Sequence, residues 1–393
     1  MVGQWEGLLE RVRKLNGFEH FLKPIPFCEL RQAATTEQVV IINISQYKAD
    51  ALIFSEAGPI NHVPLPSIDH EVLTELSGEM LLQRPVVANE KTQKSYTTRY
   101  LKPTLQAVWN YILIPIFTSI NFPMIHPVTP PQCRFWWYPT GPLTFIPIHA
   151  AGPKKGATDV SRLVVSSYVT SLDSLLRAQK RKRQCTIPNF KLLAISQPNT
   201  PGLYPLPQST TEVQTLVDLV SLKGCSEKDI YHFNGSNAVI NCVSDALDTC
   251  SWVHFSCHGL QESVQGMKSA FALYDGPLEL GQIASKRLST GQFAFLSACH
   301  AATGLKNLPG EAMHLAAGML FAGFPSVIAT MWTIRDEDAP KVADQVYQYL
   351  FRNGLQGLDP SEAATALNHA VLCLREDPDI TVDQWAPFIH FGI

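Results

Sequence analysis

The chain has 393 residues, 46% of them hydrophobic and 17% charged, which supplies a sizeable core and excludes global disorder. That length exceeds one ordinary domain, so two lobes, or one large domain with an N-terminal extension, are expected. With 31 basic and 34 acidic residues the net charge is −3, and so even a balance gives no footing for a nucleic-acid partner.

Residues 1–16 carry Glu6, Glu10, Arg11, Arg13 and Lys14 and no long apolar core, so they do not read as a signal peptide. Val39–Ile44 and Ala51–Phe54 are β-rich runs, while Glu71–Leu82 and Tyr100–Ile114 read as helices. No charge falls between Pro103 and Cys133, and residues 107–125 are apolar enough to pass for a membrane span. Pro115, Pro123 and Pro127, with Asn110 and Asn121, argue instead for a buried helix running into a proline-rich loop. No membrane partner is expected. Phe135–Ala151 reads as a strand, a turn and a second buried segment. The basic cluster Lys180, Arg181, Lys182 and Arg183 reads as a solvated loop, with a nuclear localisation signal or a protease-sensitive loop as the other readings.

Beyond residue 190 the pattern becomes regular. Phe190–Ser196, Asp229–Phe233, Trp252–Ser256, Gln292–Cys299 and Pro325–Met331 read as strands. Ser209 followed by Glu212 is a capping-box pattern, ahead of Val213, Leu216, Val217 and Val220 at helical spacing. Further helices are expected from Asn237 to Leu247, over Glu311–Ala322 up to Gly323, and over Ala339–Phe351 and Ser361–Arg375. Strands alternating with helices of about three turns predict βαβ units, a mainly parallel sheet and an α/β fold. In such sheets functional groups collect at the C-terminal ends of the strands.

Two strands end in reactive side chains. One runs into Cys257-His258-Gly259, the other into Ala298-Cys299-His300, with Cys299 lying 41 residues after His258. A cysteine nucleophile needs a base or a positive neighbour to populate its thiolate, and histidine suits that role near neutral pH. Backbone N–H groups of Gly259 and Cys299 would form the oxyanion hole. The other reading of the same residues is a small buried cysteine and a hydrogen-bonded histidine. The nine cysteines are scattered, with no Cys-x-x-Cys pair, so a disulfide framework is not expected and a reducing cytoplasm, or nucleus, fits. Strand neighbours point to opposite faces, so each Cys-His pair would give a metal one ligand, and no metal site is expected. No Gly-rich phosphate loop occurs, and no cofactor is expected. His254, in mid-strand, reads as a core histidine.

The segments "WVHFSCHG", "FAFLSACHAATG" and "NLPGEAMHLAAGMLFAGFPSVIATMWTIRDEDA", with "RFWWYPTGPLTFIPIHAAG" upstream and "WAPFIHFG" at the end, resemble the CHAT domain, a family similar to caspases and separases. The resemblance covers about Val39 to Phe391 and is densest from Trp252 to Ala339. It implies a caspase-like three-layer α/β/α sandwich over 151–393, with a smaller mixed α/β accessory lobe over 1–150, similar to a degenerate protease half. It places the family's base on His258, its nucleophile on Cys299, and an acidic turn after Trp332 on Asp336, Glu337 and Asp338. In separase-like relatives an acid in this turn meets a basic P1 side chain, so Asp336 first and Asp338 second are the substrate-binding candidates. Exposed acids, or acids that start the next helix, are the alternative. His300 departs from the polar or acidic residue common after the nucleophile. The family often follows TPR arrays, but no 34-residue repeat occurs here. A cytoplasmic cysteine endopeptidase that cleaves protein substrates after a basic residue is therefore expected, with a TPR-containing or other regulatory protein as partner. The alternatives are a catalytically silent signalling or protein-interaction module of the same fold, and a flavodoxin-like binding domain.

Overall fold

The computed structural model describes every residue except 1, 17, 20, 36, 86–89, 126–130, 155–157, 185–189, 261, 263–264, 298 and 301–310. The β-branched run around Val39–Ile44 suits a pleated strand and forms β1 (Gln38–Ile44). It pairs antiparallel with β2 (Ala49–Phe54), which pairs with β3 (Asn61–Pro64). On its other edge β1 runs parallel to β4 (Arg134–Pro139), and β4 to β5 (Val165–Tyr168). Residue 150 falls between β4 and β5, so the sheet runs unbroken across that position.

The second half adds β6 (Leu192–Ser196), β7 (Ile230–Asn234), β8 (Trp252–Ser256), β12 (Phe293–Leu296), β14 (Ser326–Thr330) and β15 (Phe388–Gly392). Among the described residues the order is β3-β2-β1-β4-β5-β15-β14-β12-β8-β6-β7, eleven strands in one sheet. A four-stranded sheet, β11-β10-β9-β13, stands beyond the strand ends. It consists of β9 (His258–Leu260), β10 (Ala270–Ala272), β11 (Pro277–Glu279) and β13 (Cys299–His300).

The helices used below are α1 (Val2–Arg13), α2 (His70–Leu82), α3 (Leu172–Gln184), α4 (Gln208–Leu222), α5 (Ile240–Leu247), α6 (Leu280–Ser285), α7 (Glu311–Ala322), α8 (Ala339–Leu350) and α9 (Ala363–Leu374). Right-handed crossovers put α4 on one face, joined there by α8 and α9, and α5, α6 and α7 on the other. Gly323 ends α7 as expected: its φ is +124°, and a side chain there would overlap the Leu288 carbonyl.

Two expectations change. The predicted Tyr100–Ile114 helix belongs to a longer helical run over residues 90–119. It passes both prolines by widening to a π-turn at Thr97–Leu101, just before Pro103, and at Trp109–Leu113, just before Pro115. A wide turn relieves the clash of each ring with the preceding turn. Leu101, Ile112 and Phe117 of this run are buried, and no described helix is long and apolar enough to cross a membrane. The basic cluster is not a solvated loop: it lies on α3. Arg181 donates to the carbonyls of Gly323, Leu288 and Ser289, Lys180 pairs with Glu29 at 2.7 Å, and Lys182 stands 3.6 Å from Asp359. Partners distant in sequence recruited these side chains, and local composition does not register that.

β15 enters the middle of the sheet, antiparallel to β14 and parallel to β5. A buried arginine holds it there. Arg134 donates to Gly392 O at 3.0 Å and to Ser167 Oγ at 2.8 Å, and Trp136 Nε1 donates to the same Gly392 carbonyl at 2.9 Å. Burial pulls the Arg134 guanidinium down to about 10 and holds His390 well below the ordinary histidine range. Gly392 has φ +90°, and a Cβ there would overlap the Pro325 carbonyl. Gly392→Ala is accordingly expected to cost about 2–4 kcal/mol, read as a lowered thermal unfolding midpoint.

Candidate active site

β6 leads through α4 to β7 on one side, and β7 leads through α5 back across to β8 on the other. The chains leaving β6 and β8 therefore part onto opposite faces, and a crevice opens at the C-terminal ends of these two neighbouring strands. His258 lies there. It is buried, 4% exposed. The loop after β6, residues 197–207, carries Pro198, Pro201, Pro205 and Pro207 and is tied down by Gln197 N–H donating to Ser256 O at 2.9 Å and Leu206 N–H donating to Pro198 O at 2.8 Å. Its Tyr204 carbonyl accepts from His258 Nε2 at 2.6 Å. A carbonyl only accepts, so Nε2 carries the hydrogen and Nδ1 the lone pair of the neutral ring. Nδ1 is buried and has no hydrogen-bond partner.

Cys299 stands beside His258. The two are ladder partners in the parallel β9–β13 pair, as are Gly259 and His300. The structure thus brings Cys299 and His258 to one register position. The side chains of Cys299 and His300, all of Ala298, and residues 301–310 lie outside the described residues. Gly259 sits inside the small sheet between β10 and β13. Cys257 is buried one position before His258. The described cysteines Cys28, Cys133, Cys225, Cys242, Cys250 and Cys373 are free thiols, the last with His369 alongside.

Beneath His258 a polar stack continues on the same face. The hydroxyls of Ser256 and Ser297 both donate to Glu212 Oε2, at 2.7 and 3.2 Å. His254, one row deeper and fully buried, stacks on Phe295 and bonds the Tyr347 hydroxyl through Nδ1 at 3.0 Å. Its Nε2 lies 3.1 Å from Glu212 Oε1, off the line of a hydrogen bond. His254 is thus the core histidine expected. Glu212 is not the capping-box acid expected: α4 begins after Pro207 without a side-chain cap, Ser209 Oγ donates to Leu206 O, and Glu212 turns inward to the strand ends at 3% exposure.

The acidic turn follows β14. Trp332 is buried, with Nε1 donating to Asp383 O. Asp336 is half-buried, and its Oδ2 accepts from the Gln208 N–H, the first residue of α4, at 3.0 Å. Burial raises its carboxyl above the ordinary carboxylate range. The Gln208 N–H and the His258 ring pull it down, and the negative Glu212 and Glu337 push it up. Asp336 therefore lies within electrostatic reach of His258. Asp338 is 2% exposed and faces elsewhere: it accepts from Gln384 Nε2 at 2.9 Å, with Lys341 Nζ at 3.5 Å.

The family model of the CHAT domain matches residues 102–393. The chain belongs to the CHAT family. No curated protein sequence matches it. Among solved structures this CHAT chain is similar to Saccharomyces cerevisiae separase in its complex with securin. In one structure the TM-score is 0.56 at 11% identity, covering 93% of this chain and 30% of that one; in a second it is 0.55 at 10%, covering 93% and 31%. The chain thus spans less than a third of those separase chains. The Arg-specific cysteine proteinase gingipain R gives a TM-score of 0.45 at 12% identity, covering 82% of this chain and 74% of that one. At such identities the likeness is one of fold. The CHAT chain is a mixed α/β protein with a large, mostly parallel sheet, of the caspase-like kind.

Two residues of this CHAT site escape sequence reading. Tyr204 acts through its carbonyl, which every residue owns; the four prolines of its loop were the available signal. Glu212 matched a helix-start pattern, and only its distance from the helix start after Pro207 separates it from one.

Proposed function

We propose that this CHAT domain is a cysteine endopeptidase of the caspase/separase-like type, with Cys299 as nucleophile, His258 as base and a preference for a basic P1 residue. The observation that carries the reading is His258 itself: buried, its Nε2 pinned on the Tyr204 carbonyl, and in ladder register with Cys299. In this mechanism Nδ1 takes the Cys299 proton, and the thiolate adds to the scissile carbonyl. The backbone N–H groups of Gly259 and Cys299 stabilise the oxyanion. Nδ1 then returns the proton to the leaving amine, and a water activated by the same nitrogen releases the thioester as acid. Asp336 supplies the carboxylate for the P1 arginine or lysine, and Asp338 is kept for its turn. A protein substrate fits an acidic turn beside an exposed loop. A regulatory protein that covers the cleft is proposed on the analogy of securin on separase, and a reducing, cytoplasmic compartment on the free thiols.

An activity probe carrying an electrophile behind arginine or lysine tests the reading. Labelling is expected in the wild type and in Cys257→Ala and absent in Cys299→Ala, scored by mass spectrometry of the adduct. Equal labelling of Cys299→Ala, or none of the wild type, would overturn it.

A further inference from the structure

We propose that Glu212 is a positioning residue that holds His258 and Cys299 at a fixed separation. This rests on the dyad reading above. β8 and β12 pair in parallel as far as Phe255 and Leu296, and His258 and Cys299 are paired in the small sheet. Ala298 lies outside the described residues; Ser297 belongs to no strand, while Ser256 ends β8. Ser256 is held on its β6 side by pairing with Ser196, and His258 and Cys299 stand two and three residues past the ends of β8 and β12. Ser256 and Ser297 stand at matching positions one residue past the last β8–β12 pair. One carboxylate oxygen, Glu212 Oε2, takes both hydroxyl hydrogens. Hydrogen bonds to an ionised acceptor are shorter and stronger than neutral ones. Glu212 therefore ties the two strand ends together from the side, just beneath the dyad.

The arrangement is a poor choice for stability alone. Glu212 has a side chain 1% exposed, in the same class as the apolar residues Val213 and Leu216 of its own helix. Taking a carboxylate out of water costs several kcal/mol, and two neutral hydroxyls with an off-line histidine return part of that. An apolar residue would pack there more cheaply, but it would leave the Ser256 and Ser297 hydroxyls without their shared acceptor. The same helix also reaches the specificity turn: Gln208 N–H, one turn earlier, holds Asp336 Oδ2 at 3.0 Å. The first turns of α4 thus set both the strand tips and the acidic turn against one rigid reference, which is the condition for an active site held to sub-ångström tolerance.

The test compares the wild type with Glu212→Gln and with the double variant Ser256→Ala, Ser297→Ala. Three quantities are measured: the unfolding midpoint, the rate of Cys299 alkylation by iodoacetamide near neutral pH, and kcat and KM on an arginyl peptide. Glu212→Gln is expected to keep the midpoint within a few degrees, lower alkylation and kcat together by about 30-fold, and leave KM within about threefold. The serine double variant should show the same signature, and adding Glu212→Gln to it should cost little more, because the three side chains form one unit. A lower midpoint with unchanged alkylation and kcat per folded molecule would overturn the proposal and leave Glu212 a structural residue. Should Glu212→Gln fail to fold, the serine pair, which removes only two hydroxyls, decides by the same readouts. Should the wild type cleave no arginyl peptide while Glu212→Gln still slows alkylation, the peptidase reading falls and the positioning role stands.

Discussion

His258→Ala is expected to lower kcat for arginyl-peptide hydrolysis by about 10⁴-fold or more, with KM little changed. The imidazole makes one hydrogen bond, to the Tyr204 carbonyl, and offers Nδ1 to the crevice. Removing it deletes the acceptor for the thiol proton and the donor for the leaving amine together. Neither Cys257 nor His254 replaces it: the first belongs to the opposite face, and the second lies two rows down, bonded to Tyr347. The fold should survive, because the strands around His258 are held by their own ladders. Circular dichroism with steady-state kinetics decides the point. A variant that keeps its kcat would remove His258 from the chemistry and return it to the role of a buried, hydrogen-bonded side chain.

Asp336→Ala is expected to lower kcat/KM for arginyl substrates by about 100-fold, equivalent to about 3 kcal/mol of lost transition-state binding, while cleavage of a neutral citrullyl analogue changes little. Asp338→Ala should behave differently. It strips a buried partner from Gln384 Nε2 and should cost about 1–3 kcal/mol of stability with arginine preference intact. Acidity gives a second handle on Asp336. Only the carboxylate attracts a guanidinium, and burial raises this carboxyl above the ordinary range. As pH falls, arginine preference must therefore fade earlier than an exposed aspartate would allow. The ratio of arginyl to citrullyl cleavage reports this alone, since titration of the dyad affects both substrates equally. A ratio that stays flat through mildly acidic pH, or that falls equally in Asp338→Ala, would remove Asp336 from the pocket.

The regular alternation after Phe190 made the parallel sheet legible, because buried parallel strands and their crossover helices carry strong, distinct periodicities. His258 and Cys299 were legible for a related reason: each ends a strand, and strand ends are where such sheets gather chemistry. What stayed hidden depends on contacts across long stretches of chain. Lys180, Arg181 and Lys182 look like a solvated run until Glu29, Gly323 and Asp359 fold against them. Glu212 sits three residues after a serine, and nothing local says that Ser256 and Ser297 will claim it. Asp336 and Asp338 are two positions apart in an acidic run, and only Gln208 on one side and Gln384 on the other tell them apart. The π-turns ahead of Pro103 and Pro115 show a milder version of the same limit: proline forbids an ordinary turn, but tertiary packing pays for an unusual one.

Among the described strands, β15 alone joins two blocks of the main sheet, β3-β2-β1-β4-β5 on one side and β14-β12-β8-β6-β7 on the other. On a ribosome, where chains grow at about 5–20 residues per second, His258 and Cys299 are made well before Phe388–Gly392. During that interval the two blocks have no strand to join them, and Arg134 and Trp136 wait without the Gly392 carbonyl that satisfies them. The nascent chain therefore holds both reactive residues before it holds a finished sheet to brace them. Completion of the main sheet thus waits for the synthesis of Phe388–Gly392.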